Sequence, residues 1–186
     1  ESGQTAKALE QGEEIKKVEP GKDIEWVFSQ YQQAELYGKE AYELYVTGYN
    51  AYSNKKWSEA IEFFKLAVNL SKNFKGAHHF LGLSYYHIGE LNNSIRYLEN
   101  AVRLDPFDNN ARIYLDKARE EKEFGREAVW AFNEGYQCYI AGEYEEALLK
   151  FKESAQKNSN FGKTRIYLMR TYYHLNQMEE YLEERE

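Results

Sequence analysis

The sequence predicts an all-α fold built from antiparallel helix pairs, a helical solenoid with additional or extended leading helices. Three observations support this class. Apolar residues recur at three- and four-residue spacings, which is the period of an α-helix rather than of a strand. Related segments return 34 residues apart. Only two prolines interrupt the 186 residues, and 30% of the residues are charged, as expected for exposed helix faces.

The clearest repeating segment, residues 82–106, is predicted to form two helices joined by a turn. Gly89 separates the two helices, and Asp105-Pro106 ends the second, because proline disfavours helix in the residue before it. The apolar and small residues that recur at the helical period are Gly82, Tyr85, Tyr86, Leu91, Ile95, Leu98, Ala101 and Val102.

Three other segments repeat this pattern. The first carries Gly48, Trp57, Ala60, Phe64 and Ala67; another carries Gly135, Gly142, Tyr144, Ala147 and Phe151; the last carries Leu168, Met169, Tyr172 and Tyr173. Gly48 precedes Gly82 by 34 residues. A glycine on one helix and small residues on its partner let two antiparallel helices approach closely, so the repeat predicts a series of tight helical hairpins.

Over residues 39–186 the chain resembles the tetratricopeptide repeat (TPR) family. The resemblance rests on Gly82, Tyr85, Gly89, Leu98, Ala101 and Pro106, which stand where the 34-residue motif has its signature residues. It implies stacked helical hairpins with a concave groove that binds another protein. Thr47 and Glu134 depart from the motif, because both occupy a position that is usually large and apolar. Glu134 is expected to reach the surface or to pair with a neighbour.

A longer unit of about 87 residues occurs twice. Residues 37–52, YGKEAYELYVTGYNAY, match residues 124–139, FGREAVWAFNEGYQCY, and an apolar helical segment precedes each. We therefore predict a leading helix plus TPR 1 and TPR 2 over residues 22–108. A second leading helix plus TPR 3 and a truncated TPR 4 are predicted over residues 109–186. Residues 1–21 are polar and are predicted to form a flexible tether.

The second leading helix is predicted to run through Gly125 as one helix over about residues 109–141. A glycine inside a helix costs only about 1 kcal/mol, and no capping residue follows Gly125. The same reasoning makes residues 23–53 a candidate long helix. The alternative is a kink or a short turn at Gly38 and at Gly125.

Composition and motifs argue against several classes of function. The net charge is −7 with acidic and basic residues interspersed, so no basic stripe is expected to bind nucleic acid. No apolar run is long enough to span a bilayer. The single cysteine, Cys138, excludes an intramolecular disulfide and is predicted to be a buried thiol. No catalytic, phosphate-binding or metal-ligating motif is present, so no enzyme activity, cofactor or metal is expected.

The candidate binding site is the predicted concave groove. The groove positions implied by the TPR resemblance that we select as partner-binding are Tyr42, Tyr45, Tyr49, Tyr52, His79, Tyr86, Phe132, Tyr136, Tyr139 and Tyr173. Tyrosine suits recognition because it offers a large contact area, a polar tip and few rotors to immobilise. The alternative is that these rings pack on the next repeat. TPR proteins that clamp a C-terminal carboxylate have Lys and Asn in place of Tyr45 and Tyr49, so resemblance to that class fails.

These observations predict a non-catalytic protein–protein interaction scaffold or adaptor that binds a peptide or helix in an aromatic groove. The expected partner is a protein or peptide, with self-association possible. The alternative is a tethered ligand-binding or assembly component of an exported bacterial complex. In that case the groove would hold an apolar small molecule, or the repeats would associate with one another.

Overall fold

The computed structural model describes residues 24–183. Within that range the chain forms ten helices and no strand, which confirms the predicted all-α class. The helices are α1 (Ile24–Tyr37), α2 (Lys39–Ser53), α3 (Trp57–Leu70), α4 (Lys75–His87), α5 (Leu91–Leu104), α6 (Asn109–Phe124), α7 (Arg126–Ala141), α8 (Tyr144–Lys157), α9 (Gly162–His174) and α10 (Met178–Glu183). The predicted tether, residues 1–21, lies outside the described residues.

The chain divides into two compact units, Glu1–Arg112 and Ile113–Glu186. In the first unit each helix from α1 to α5 packs on the next, and α2 also contacts α4. In the second unit each helix from α7 to α10 packs on the next, and α7 also contacts α9. Because short turns join these helices, neighbours form hairpins of the kind found in helical repeats. None of the helices in residues 24–183 is long and apolar enough to cross a membrane.

Glycines set the close approach of the paired helices. A Cβ added to Gly48 on α2 would lie 2.8 Å from the Phe64 ring on α3. A Cβ added to Gly135 on α7 would lie 2.8 Å from the Phe151 ring on α8. Both phenylalanines are fully buried. A larger side chain at these glycines would collide with the rings, so the predicted close approach is confirmed. The expectation that small residues lie opposite the glycines is wrong, because a phenylalanine ring of the partner helix fills that space.

The predicted long helices through the two glycines are wrong. Gly38 has φ 91° and ψ 137°, and Gly125 has φ 89° and ψ 137°. A positive φ of this kind is incompatible with an α-helix and is readily adopted only by glycine. The leading helices α1 and α6 therefore end one residue before these glycines, and α2 and α7 begin one residue after them.

Aromatic stacking explains why the chain bends instead of continuing as a helix. The Tyr37 ring, just before Gly38, stacks on Phe74 at the start of α4, with 4.1 Å between ring centroids. The Phe124 ring, just before Gly125, stacks on Phe161 at the start of α9, at 4.7 Å. Each leading helix is thus anchored to the second hairpin of its own unit, which offsets the lost helical hydrogen bonds.

A buried carboxylate further secures the bend at Gly125. The Glu121 side chain is 1% exposed and accepts hydrogen bonds from Arg126 Nε at 2.6 Å and from Trp130 Nε1 at 3.1 Å. Because Glu121 lies in α6 and both donors lie in α7, these bonds join the two helices across the glycine. The corresponding position of the first unit is Ala34, so this contact is specific to the second unit.

The two units also differ in one buried contact between their hairpins. In the second unit Ser154 Oγ donates to the Ala128 carbonyl oxygen at 2.8 Å and lies 2.7 Å from Thr164 Oγ1. Ser154 and Thr164 are both buried. The corresponding residues of the first unit are Ala67 and Ala77, also fully buried. A hydrogen-bonded hydroxyl pair therefore replaces an apolar contact at the same place in the fold.

Candidate functional site

The candidate groove of the first unit is built around the Phe80 ring. Tyr49 and Tyr52 of α2 meet Phe80 of α4 edge-on, with ring centroids 5.0 Å and 5.1 Å apart. Tyr45 lies 6.1 Å from the same ring. These three tyrosines share one face of α2 because they are spaced by four and three residues. The α2 and α4 faces therefore form a continuous aromatic surface.

Tyr45 is the most tightly packed tyrosine of this surface. Its ring lies 5.8 Å from Phe64 and 4.8 Å from Phe74, both core residues. A Cβ on Gly76 would come within 3.3 Å of the Tyr45 ring, so a larger residue there would require the ring to shift by a few tenths of an ångström. Burial raises the pKa of the Tyr45 hydroxyl to about 12, because the ionised form is poorly solvated there. Tyr45 contributes mainly to the core.

The end of the surface is a cluster of Tyr52, Trp57 and His87. The His87 ring stacks on Trp57 at 4.1 Å with an interplanar angle of 14°. His87 Nε2 lies 3.3 Å from the Tyr52 hydroxyl. These contacts join α2 and the start of α3 to the end of α4, so His87 packs between the helices of the first unit.

The second unit repeats these ring contacts 87 residues later. Tyr136 and Tyr139 of α7 meet Tyr167 of α9 edge-on, each with 5.3 Å between centroids. Tyr144 stacks on His174 at 4.4 Å and 2°, as Trp57 stacks on His87. The aromatic surface is therefore present twice, once in each unit, with its ring geometry preserved.

The predicted partner-binding residues differ in accessibility. Tyr49 and Tyr173 are 44% and 70% exposed. Partly buried residues are Tyr42, Tyr45, Tyr52, His79, Tyr86, Tyr136 and Tyr139. Phe132 is only 6% exposed, so the expectation that it is accessible is wrong. The Phe132 ring packs on Phe151 and Phe161, at 5.6 Å and 5.2 Å, because it takes the place that Tyr45 has in the first unit.

His79 is held by the loop and helix that follow α5. Its Nδ1 pairs closely with the Asp108 carboxylate, and its Nε2 lies 3.0 Å from Asn110 Oδ1. Asp108 also accepts a hydrogen bond from the Ala111 backbone nitrogen at 2.9 Å, which caps the start of α6. Both ring nitrogens of His79 are therefore engaged within the first unit.

Phe80 and Tyr167 are not among the predicted site residues. In the structure, however, Tyr45, Tyr49 and Tyr52 contact Phe80, and Tyr136 and Tyr139 contact Tyr167. A signal for them was present in the sequence, because both are aromatic and lie 87 residues apart. They were missed because the TPR groove positions fall on their neighbours, one residue earlier in each helix.

The structure also tests what the sequence predicts for the Glu134 carboxylate and the Cys138 thiol. Glu134 is exposed and pairs with Lys150 Nζ at 2.6 Å, as expected for a carboxylate that reaches the surface or pairs with a neighbour. Cys138 is only half-buried, so the prediction of a buried thiol is wrong. Its sulfur and the carboxylates of Glu143 and Glu146 lie within 4.8 Å of one another. Exposed carboxylates commonly cluster in this way without a metal, and the grouping alone defines no metal centre.

Comparison with protein-family models found no match, and comparison with curated protein sequences found no significant relative. The fold therefore defines the class of the protein: a helical repeat of packed hairpins with an aromatic face in each unit.

Proposed function

We propose that this chain is a non-catalytic protein–protein interaction module of the TPR type, a scaffold or adaptor that binds a peptide or helix on its aromatic faces. Support for the TPR assignment comes from the spacing of the close-approach glycines. Gly48 and Gly82 are 34 residues apart, and a Cβ on Gly82 would lie 2.6 Å from Leu98 Cγ. Each glycine sets one tight hairpin, as the TPR motif requires.

The observation that carries the proposal is the repeated aromatic face with partly exposed rings. Tyr49 keeps 44% of its surface accessible although its ring already contacts Phe80, and Tyr173 keeps 70%. The Tyr49 ring is held against Phe80 before a partner arrives, so binding immobilises few of its rotors. Tyrosine is also over-represented among residues that dominate binding energies at protein interfaces.

Capture of partners with the full chain tests the proposal. Tyr49→Ala and Tyr136→Ala remove ring surface from the two faces, and each is expected to weaken partner binding by about 2 kcal/mol, roughly 30-fold. Leu149→Ala is the matched control, because Leu149 is 68% exposed on α8, which carries none of the predicted groove residues. It is expected to leave binding unchanged.

Stability of the same variants separates recognition from packing. Leu81 is fully buried, so Leu81→Ala is expected to cost about 2–5 kcal/mol of unfolding free energy. Tyr49→Ala and Tyr136→Ala are expected to cost less. If both unfold the protein as severely as Leu81→Ala, the rings belong to the core and the recognition proposal is wrong. If both fold and bind normally, the partner uses another surface.

A further inference from the structure

Helix α9 differs in charge from the rest of this acidic chain. It carries Lys163, Arg165 and Arg170 and has no carboxylate between Gly162 and His174, whereas the whole chain has a net charge of −7. The three cations replace neutral residues of α4, since Gly76, His78 and Leu83 stand 87 residues earlier. The second unit has therefore acquired a basic helix at a position that is almost uncharged in the first.

Two of these cations fall on the face that carries Tyr173. Lys163, Arg170 and Tyr173 occupy the groove positions that Gly76, Leu83 and Tyr86 occupy in α4. Arg170 is exposed and Tyr173 is 70% exposed. Arg170 is therefore an accessible cation beside an accessible ring.

An aromatic ring positions the Arg170 side chain. Its guanidinium carbon lies 5.1 Å from the centroid of the Tyr167 ring. Among the described residues, no carboxylate lies within ion-pair distance of Arg170, whereas Lys163 is paired with Glu120 at 2.5 Å. A guanidinium stacked on an aromatic ring keeps its N–H donors available for a carboxylate, which it binds in a planar, bidentate geometry.

An apolar recess adjoins this guanidinium. An open pocket of about 230 Å³ is lined by Met169, Arg170, Tyr173, His174 and Met178. Methionine adapts its shape to irregular apolar ligands, and Met169 is 42% exposed here. The recess has room for a single large apolar side chain, with the positive charge of Arg170 at its edge.

We infer that this face of α9 recognises an acidic segment of a partner protein, with one apolar side chain in the recess and a neighbouring side-chain carboxylate on Arg170. The inference rests on the proposed function and specifies the chemistry of the partner. Charge complementarity carries it: Arg170 is an exposed cation without an ion-pair partner among the described residues, so it attracts a carboxylate that the net charge of −7 otherwise disfavours near the chain. The exposed apolar side chains around Arg170 supply the anchor that charge alone lacks.

The test uses the full chain and a displayed library of random 12-residue peptides. Peptides enriched on the wild-type chain are expected to carry an excess of Asp and Glu together with at least one large apolar residue. The best peptide is then labelled, and its affinity is measured by fluorescence polarisation. Replacing its Asp and Glu by Asn and Gln is expected to weaken binding at least tenfold, and raising the salt concentration is expected to weaken it as well.

Two variants on the same helix provide a matched pair. Arg170→Leu installs the residue found in the first unit and is expected to reduce affinity at least tenfold. Arg165→Leu removes the same charge from the same helix, but Arg165 lines a different pocket with Tyr172 and Tyr181. It is expected to change affinity less than about twofold, since surface charges away from the contact contribute little.

The outcomes separate this inference from the proposed function. Enrichment of neutral peptides whose binding depends on Tyr136 or Tyr139 would reject the acidic partner and leave groove binding standing. Equal losses in Arg165→Leu and Arg170→Leu would also reject it, because net charge rather than the α9 face would then be responsible. Failure to enrich any peptide would count against both.

Discussion

Replacing Gly125 with alanine tests the bend between α6 and α7. Gly125 has φ 89° and ψ 137°, a conformation that alanine adopts only under strain. A Cβ at this position would meet no atom within 4 Å, so no steric clash contributes. Strained backbone conformations of non-glycine residues cost on the order of 1–3 kcal/mol. We therefore expect Gly125→Ala to lower the free energy of unfolding by about that amount.

Gly162→Ala is the matched control. Gly162 is the first residue of α9, and a Cβ there would also meet no atom within 4 Å. Unlike Gly125, Gly162 is not among the glycines with a positive φ. Alanine in a compatible conformation restricts the unfolded chain, so this variant is expected to stabilise the protein by about 0.4–1 kcal/mol. Because both variants add one methyl group in open surroundings, their difference isolates the backbone conformation.

Urea unfolding followed by far-UV circular dichroism measures both variants. Midpoints are compared only where the slope of the transition is unchanged, so that a shift reports stability. If α6 and α7 formed one continuous helix, Gly125→Ala would stabilise the protein by about 1 kcal/mol, because alanine is the better helix former. A bend at Gly125 and a continuous helix therefore predict stability changes of opposite sign. A higher urea midpoint for Gly125→Ala than for the wild-type chain would refute the bend.

Two further predictions concern buried polar groups. Ser154→Ala is expected to destabilise by about 1–3 kcal/mol, because the buried Thr164 hydroxyl loses its partner. The Ser154→Ala/Thr164→Ala double variant, an alanine pair like that of the first unit, is expected to cost less than the sum of the single changes in urea unfolding; additive losses would contradict the coupling. Burial raises the pKa of Tyr45 from 10.0 to about 12, so its stabilising contribution is complete below pH 10 and is lost as the pH approaches 12. Tyr45→Phe is expected to flatten the fall in melting temperature over this range, and an unchanged pH profile would count against it.

Local sequence patterns were sufficient to predict the helices and their repetition. The ends of α4 and α5 lie where Gly89 and Asp105-Pro106 interrupt the helical period. The tight hairpins followed from the spacing of the glycines, whereas the rings of Phe64 and Phe151 that lie opposite two of them were found only in the structure. These features depend on residues within a few turns of one another, which is why the sequence alone determines them.

Contacts between distant residues decided the remaining features. A glycine such as Gly125 fits either a helix or a bend, and the choice depends on whether stacking of Phe124 on Phe161 offsets the lost helical hydrogen bonds. The burial of Phe132 and the pairing of His79 with Asp108 likewise depend on which helix packs over each side chain. The period of a helix determines which residues share a face, but the tertiary structure decides how much of that face remains accessible to a partner.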